Sequence, residues 1–425
     1  MKSTRFATKW SRSARLGLAL ATLAAPVCAL AQPANFPKYT IVDLGPVGPS
    51  TSQGQPFVIT GNGLISGERV VANPRNIDEL VSQAVLWEGT KLNIISDPGL
   101  GGPNSIAYSV NFWGQAVGQA DTETRDPNGE DFCGTTALGL THSGNTCVPF
   151  LWQNGTMIEL PRLRNKAGDE GNNGQAYQNN NFGTIVGTAE NGEIDSTCPG
   201  ASISPQTIQF KPVLWTKPFP LSPAVIQELP TIDGDPDGYA AAVNDLGQVV
   251  GATGPCGPFD AENSIVAIHA VLWQNGKAIN LGNLGGDGKF FGIFAEGLND
   301  RGQVVGTSDT TGDQSFHAFL WQQGHITDLG TLPGDSYSLA PTISNDGLVL
   351  GVSLDASFNP RAFLWRNGIA TDMNTLVPKD TPLVLQSACS INDKGEIIGF
   401  AALKSNLNES HAYLAIPVAS SEGGN

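Results

Sequence analysis

Charge is scarce in this chain, and positive charge scarcer still. Only 15% of its 425 residues are charged, with 23 Lys and Arg against 39 Asp and Glu. The resulting formal charge of −16 repels phosphate backbones and excludes a basic nucleic-acid binder. No CxxC spacing occurs among the six cysteines, which speaks against zinc-ribbon and thioredoxin-type chemistry. No GxSxG is present either, and Thr141-His142-Ser143-Gly144 is no nucleophile elbow. A 3.6-residue hydrophobic period sustained over ten or more residues is missing, so bundles and coiled coils are excluded. Beyond residue 31 no apolar run is long enough to cross a bilayer as a helix.

The amino terminus reads as an address. Lys2, Arg5, Lys9, Arg12 and Arg15 precede an apolar stretch, Leu16 to Leu30, that closes on Ala29-Leu30-Ala31. Basic start, short apolar centre and small residues before a cut are the features of a cleavable export signal. Cleavage is expected after Ala31, followed by a short linker (32–38), and the mature chain is expected to be secreted or periplasmic. Export permits disulfides. Of the five cysteines left, Cys389 lies in an apolar strand-like run and reads as a buried thiol. The expected pairs are Cys133 with Cys147 and Cys198 with Cys256.

Glycine (51) and proline (28) are spread between short apolar runs, which predicts many turns. A repeat is plain to see. Trp87, Trp152, Trp215, Trp273, Trp321 and Trp365 each end a run such as Ala84-Val-Leu-Trp87 or Ala318-Phe-Leu-Trp321, and Ala412-Tyr-Leu-Ala415 is a degenerate seventh. A Gly-containing turn follows most copies and leads to a second short strand. Farther along each unit comes another hairpin, clearest in Val243 to Gly251, Leu298 to Gly306 and Ile391 to Gly399, built on Asn-Asp-x-Gly. Asn, Asp and Gly tolerate the positive φ of tight hairpin turns, so each unit predicts four antiparallel strands. Such short strands bury their apolar faces only by stacking sheet on sheet.

The ends of the chain complete the count. It opens at Tyr39 with a second strand that has no first, and closes at His411 to Ile416 with a first strand that has no second. Together the fragments predict one composite unit beside six internal ones. The fold expected is therefore all-β, a seven-bladed propeller over residues 39–418. Pairing of the C-terminal strand with the N-terminal blade closes it, and a tail (419–425) follows.

His317 to Trp321, Asp328-Leu-Gly-Thr-Leu332 and Asn299 to Gly306 resemble the HAF-repeat family of bacterial extracellular proteins, across nearly the whole mature chain. The resemblance implies an extracellular repeat scaffold and brings no catalytic set with it.

Function is expected in loops held by a rigid scaffold. The long segments Asp121 to Val148, Glu190 to Lys211 and Gly254 to Ile268 read as blade-to-blade crossings on one face. That face is the expected recognition surface of a non-catalytic binding module for an extracellular glycan or protein. Trp113, in the turn Asn111 to Gly114, is a candidate contact residue. Asp121, Glu123, Asp126, Glu130 and Asp131 cluster in one loop, either as a solvated acidic segment or as carboxylates for cation binding or glycoside chemistry. Asp233, Asp235 and Asp237 form a DxDxDG run suited to Ca²⁺, although Ala241 and Asn244 stand where the later ligands belong. His269, His317 and His411 share one repeat slot and read as scaffold hydrogen bonds. The rival readings are an envelope-associated carbohydrate-active hydrolase or lyase and a structural matrix component. The chain is expected to be a monomer.

Overall fold

Tight turns flanked by β-branched and aromatic residues dictate hairpins, and the computed structural model consists of them. It describes residues 36–47, 55–73, 76–89, 91–96, 99–130, 132–133, 143–198, 206–217, 223–256 and 267–418. The expected export signal, most of the linker, the tail, Asp131 and His142 lie outside these residues.

Strand β1 (Tyr39–Pro46) precedes six complete blades. Blade I comprises β2 (Gln55–Ile59), β3 (Leu64–Asn73), β4 (Asn76–Glu88) and β5 (Lys91–Ile94). Blade II comprises β6 (Gly101–Val110), β7 (Ala116–Arg125), β8 (Asn145–Gln153) and β9 (Thr156–Glu159). Blade III comprises β10 (Gly174–Asn179), β11 (Ile185–Ile194), β12 (Ile208–Thr216) and β13 (Val225–Glu228). Blade IV comprises β14 (Asp237–Val243), β15 (Val249–Gly254), β16 (His269–Gln274) and β17 (Lys277–Asn280). Blade V comprises β18 (Ile293–Leu298), β19 (Val304–Asp309), β20 (Phe316–Gln322) and β21 (His325–Asp328). Blade VI comprises β22 (Tyr337–Ile343), β23 (Val349–Leu354), β24 (Pro360–Arg366) and β25 (Ile369–Asp372). Blade VII joins β26 (Leu383–Leu385), β27 (Ser390–Ile391), β28 (Ile397–Leu403) and β29 (Asn406–Pro417) to β1, which pairs antiparallel with β29.

The seven-bladed propeller and its closure are as expected; the place where the repeat is cut is not. Each sheet starts with the Asn-Asp-x-Gly hairpin and ends with the Trp hairpin. The composite blade accordingly takes one strand from the amino terminus and the rest from the carboxyl terminus. It also follows that the three long segments expected to be crossings are hairpin loops inside blades II, III and IV. The true crossings are segments such as Arg162 to Gln175 and Gly282 to Phe294. Hairpin loops and crossings still share one face, called here the loop face. The short turns, including Asn-Asp-x-Gly, occupy the turn face.

A separate hydrophobic cluster fills each of the seven interfaces between neighbouring blades. Trp87, Trp215, Trp273 and Trp365 are buried in them, as wedges between sheets rather than exposed platforms. In blade VII, Ala415 opposes Ile397 just as Trp321 opposes Val304. Burying one such indole contributes about 3–5 kcal/mol by the cost of truncating it.

Two glycine positions explain the repeat's spelling. The Gly of each Asn-Asp-x-Gly turn has positive φ, as at Gly302 (71°) and Gly347 (87°). The Gly that ends Val-Val-Gly faces a bulge in the innermost strand. A Cβ on Gly306 would lie 2.1 Å from the Phe294 carbonyl oxygen, and one on Gly118 1.8 Å from that of Ile106. The residue skipped by the register there, Glu296 in β18 and Tyr108 in β6, is the bulged one.

Candidate functional site

On the turn face the first Asn of the turn stitches the ring together. Asn111 Nδ2 donates to the carbonyl of Asn180 (3.1 Å), Asn180 to Asn244, Asn244 to Asn299 and Asn299 to Ser344 (each 3.0 Å), and Asn392 to Thr60 (3.0 Å). Asn62 Nδ2 donates to the Phe112 carbonyl and links blades I and II. The second turn residue makes a parallel belt. Asn181, Asp245, Asp300 and Asn345 each accept the backbone N–H of the equivalent residue one blade back.

Inside these belts lies an axial cavity of about 510 Å³, to which all seven blades contribute. Asp245, Asp300, Asp346 and Asp393 line it, and Arg366 is the one basic residue among its walls. Arg366 is paired with Asp346, and the Ser344 hydroxyl together with that guanidinium holds the Asp346 carboxyl below the usual range against the opposing effect of its own partial burial.

In three successive blades the third turn residue is an exposed apolar side chain. Blades II, III and IV place Trp113, Phe182 and Leu246 there, exposed by 70%, 79% and 69%. Trp113 is therefore exposed, as expected, and its Nε1 donates to the Asn181 carbonyl at 3.0 Å, which holds the indole beside blade III. Phe112 meets it edge to face at 5.4 Å. In blades V, VI and VII the same slot holds Arg301, Asp346 and Lys394.

Three residues before the first turn residue, on each innermost strand, stands the bulge ring of Phe57, Tyr108, Tyr177, Ala241, Glu296, Pro341 and Cys389. All are partly exposed. Phe57, Tyr108, Tyr177 and the neighbouring Tyr239 form an aromatic arc with centroid spacings of 5.7, 5.6 and 6.1 Å. Burial pushes the Glu296 carboxyl up to about 7, and it pushes the Cys389 thiol up to about 11. Cys389 is unpaired, as expected.

The loop face contradicts the picture of a solvated acidic loop. Of the cluster, Glu123 is exposed, whereas Asp121, Asp126 and Glu130 are buried. Asp121 accepts from Asn104, Asp126 from Asn128 and Asn173, and Glu130 from the backbone N–H groups of Thr207 and Ile208. Loops from different blades converge here and exclude water. Two carboxyl pairs result. Burial, then the neighbouring Glu190, pushes Glu130 up to about 8. Burial, then Asp195, pushes Asp237 up to about 8. The Oδ2 atoms of Asp195 and Asp237 are buried with no other hydrogen-bond partner, which a proton shared between the two carboxyls resolves.

Both expected disulfides are formed. Cys133–Cys147 closes a loop within blade II, while Cys198–Cys256 ties the hairpin loop of blade III to that of blade IV. Asp121 lies against the first and Asp195 against the second, within 4.8 Å. With their cysteines oxidised these groups offer a metal no thiolate.

The DxDxDG run does not assemble as a calcium loop. Asp233 is exposed, at φ 50°. Asp235 accepts from Thr253 and pairs with His269 Nδ1 at 2.8 Å. Asp237 turns the other way, to the Phe210 N–H and Asp195. The run is split because two of its acids serve the scaffold. His317 pairs with Asp328 and His411 with Asp43 in the same manner, and Arg361 fills the slot in blade VI against Asp335 and Asp372. The scaffold reading of the histidines is thus the observed one.

The structure brings Asp121 and Asp126 together on the loop face and sets Trp113 on the opposite face. Phe182, Leu246 and the bulge ring escaped the sequence reading. The signal for the first two is positional: aligned on Asn-Asp-x-Gly, the third turn residue differs in every one of the seven units.

No family model matches the chain, and no curated protein does. Among solved structures it is similar to the β-propeller domain of the Trilobed protease from Pyrococcus furiosus, with 10% identity over 90% of this chain and 94% of that one and a TM-score of 0.47. Similarity to Trypanosoma rangeli sialidase, solved with the inhibitor DANA, covers 73% of this chain and 55% of that one at 13% identity and a TM-score of 0.32. A gluconolactonase from Xanthomonas campestris matches 88% of this chain and 98% of its own at 10% identity and a TM-score of 0.32.

Proposed function

We propose that this chain is a non-catalytic binding module working outside the cytoplasm, in the manner of the HAF-repeat proteins it resembles, and that it binds through the turn face. The observation that carries this reading is the apolar arc of Trp113, Phe182 and Leu246, presented by three successive blades at one turn slot beside the axial cavity. Contiguous exposed apolar groups rimmed by polar ones mark interaction sites. The loop face is the weaker choice, because Asp121, Asp126 and Glu130 of its acidic segment are directed inward. Two disulfides suit an oxidising compartment, and no helix among the described residues is long and apolar enough to cross a membrane.

The carbohydrate-active enzyme has carboxyl pairs available, but Glu130 and Glu190 are both 0% exposed, as is Asp237, and Asp195 is 4% exposed. Groups so enclosed have no route to a glycosidic bond. The reading is tested by offering a glycan array and peptide pools to the wild-type protein and to a Trp113→Ala/Phe182→Ala variant. Ligands whose retention falls about tenfold in the variant locate the site. Ligands retained equally by both proteins, or self-association without ligand, refute it.

A further inference from the structure

From the turn face we infer the chemistry of the partner: an extended polypeptide segment that lays apolar side chains on the Trp113–Leu246 arc and inserts a Lys or Arg side chain into the axial cavity. This rests on the turn face being the binding surface. Three observations converge on it.

The first is charge. Asp245, Asp300, Asp346 and Asp393 surround the cavity against the lone Arg366, which Asp346 already engages. The whole chain carries −16, so the long-range field favours a cation too. The second lies on the same innermost strands. The partly exposed rings of Phe57, Tyr108, Tyr177 and Tyr239 run from blade to blade there, with Glu296 on the same bulge ring. Ring faces and a carboxyl are what an ammonium or guanidinium group prefers once it leaves bulk water. The third is spacing along the face. Trp113, Phe182 and Leu246 recur at one slot per blade, so the apolar surface is an arc that an extended chain can follow while one side chain turns inward. A neutral glycan would use the rings and gain nothing from the negative charge around the cavity.

The test uses the disulfide-bonded protein and pools of acetylated, amidated hexapeptides that share one fixed central residue. Pools fixed as Lys or Arg are expected to be retained about tenfold more than Glu pools and about threefold more than norleucine pools. Raising salt from about 50 to about 300 mM should narrow that preference severalfold. Asp393→Asn and Asp300→Asn should each lower the ratio of Lys to norleucine retention by about threefold, with melting curves checking that both variants fold. Trp113→Ala should weaken retention of every pool. If Glu and Lys pools are retained alike, or the preference ignores salt, the cationic partner is overturned while the turn face survives as the surface. Retention of glycans alone, sensitive to Trp113→Ala, likewise overturns the cationic partner and keeps the surface. If nothing bound depends on Trp113 or Phe182, both fall together.

Discussion

Gly306 shows how much a missing side chain decides. Its place opposite the β18 bulge leaves no room for a Cβ, the nearest atom being a backbone oxygen that cannot swing away. Gly306→Ala is expected to cost about 3 kcal/mol, read as a fall in chemical-denaturation midpoint with unchanged slope. Asp237 supplies a different kind of test. Its folded carboxyl titrates at about 8 because burial and Asp195 disfavour the charge, while the unfolded chain ionises it near 4. The folded state therefore holds the proton over the interval in which the unfolded state has lost it. Its contribution is fully present below about pH 4, declines as pH rises, and stops changing above about 8. Asp237→Asn mimics the protonated acid, so its melting temperature should match the wild type near pH 4 and exceed it increasingly toward pH 8. A constant difference across that range would refute the assignment.

At the scale of hairpins, the bond Cys198–Cys256 joins two that are neighbours in space and 58 residues apart in sequence. Replacing both cysteines with serine should lower stability by about 2–4 kcal/mol, and reducing agent should bring the wild type toward the variant in thermal denaturation. Hairpins were also where the sequence was most legible. Asn-Asp-x-Gly and the Trp run announce turns and strands because a local φ requirement fixes them. The cut between blades was not legible, since a periodic sequence reads the same from any phase and only the pairing of β3 with β4, in place of β5 with β6, settles it. The acids escaped for another reason. Asp126 and Glu130 look solvated in a polar, Gly-rich stretch, but Asn173 and Thr207, which bind them, lie in segments brought close only by the ring. Trp113 was found by standing outside the Trp slot, whereas Phe182 and Leu246 share its turn position without the same conspicuous chemistry.

For the whole molecule, closure by β1 is the decisive feature. Seven residue pairs join it to β29, and Tyr39 is buried with Tyr413 in the cluster between blades VI and VII. A chain lacking residues 36–46 leaves β29 as a bare edge. It should elute as dimers or larger species in size-exclusion chromatography, later-eluting monomer being the outcome expected of the intact chain.

The Asn belt also has a seam. Among the described residues Ser344 makes no stitch across to blade VII, and the amino-terminal segment, with Phe36 and Tyr39, packs into that interface instead. Fastenings of two kinds therefore hold one circle: directional amide clasps over most of the circumference, and a greasy plug at a single joint. A ring made this way breathes where its fastening is least directional, so amide protons flanking the VI–VII joint should exchange with deuterium before their counterparts elsewhere.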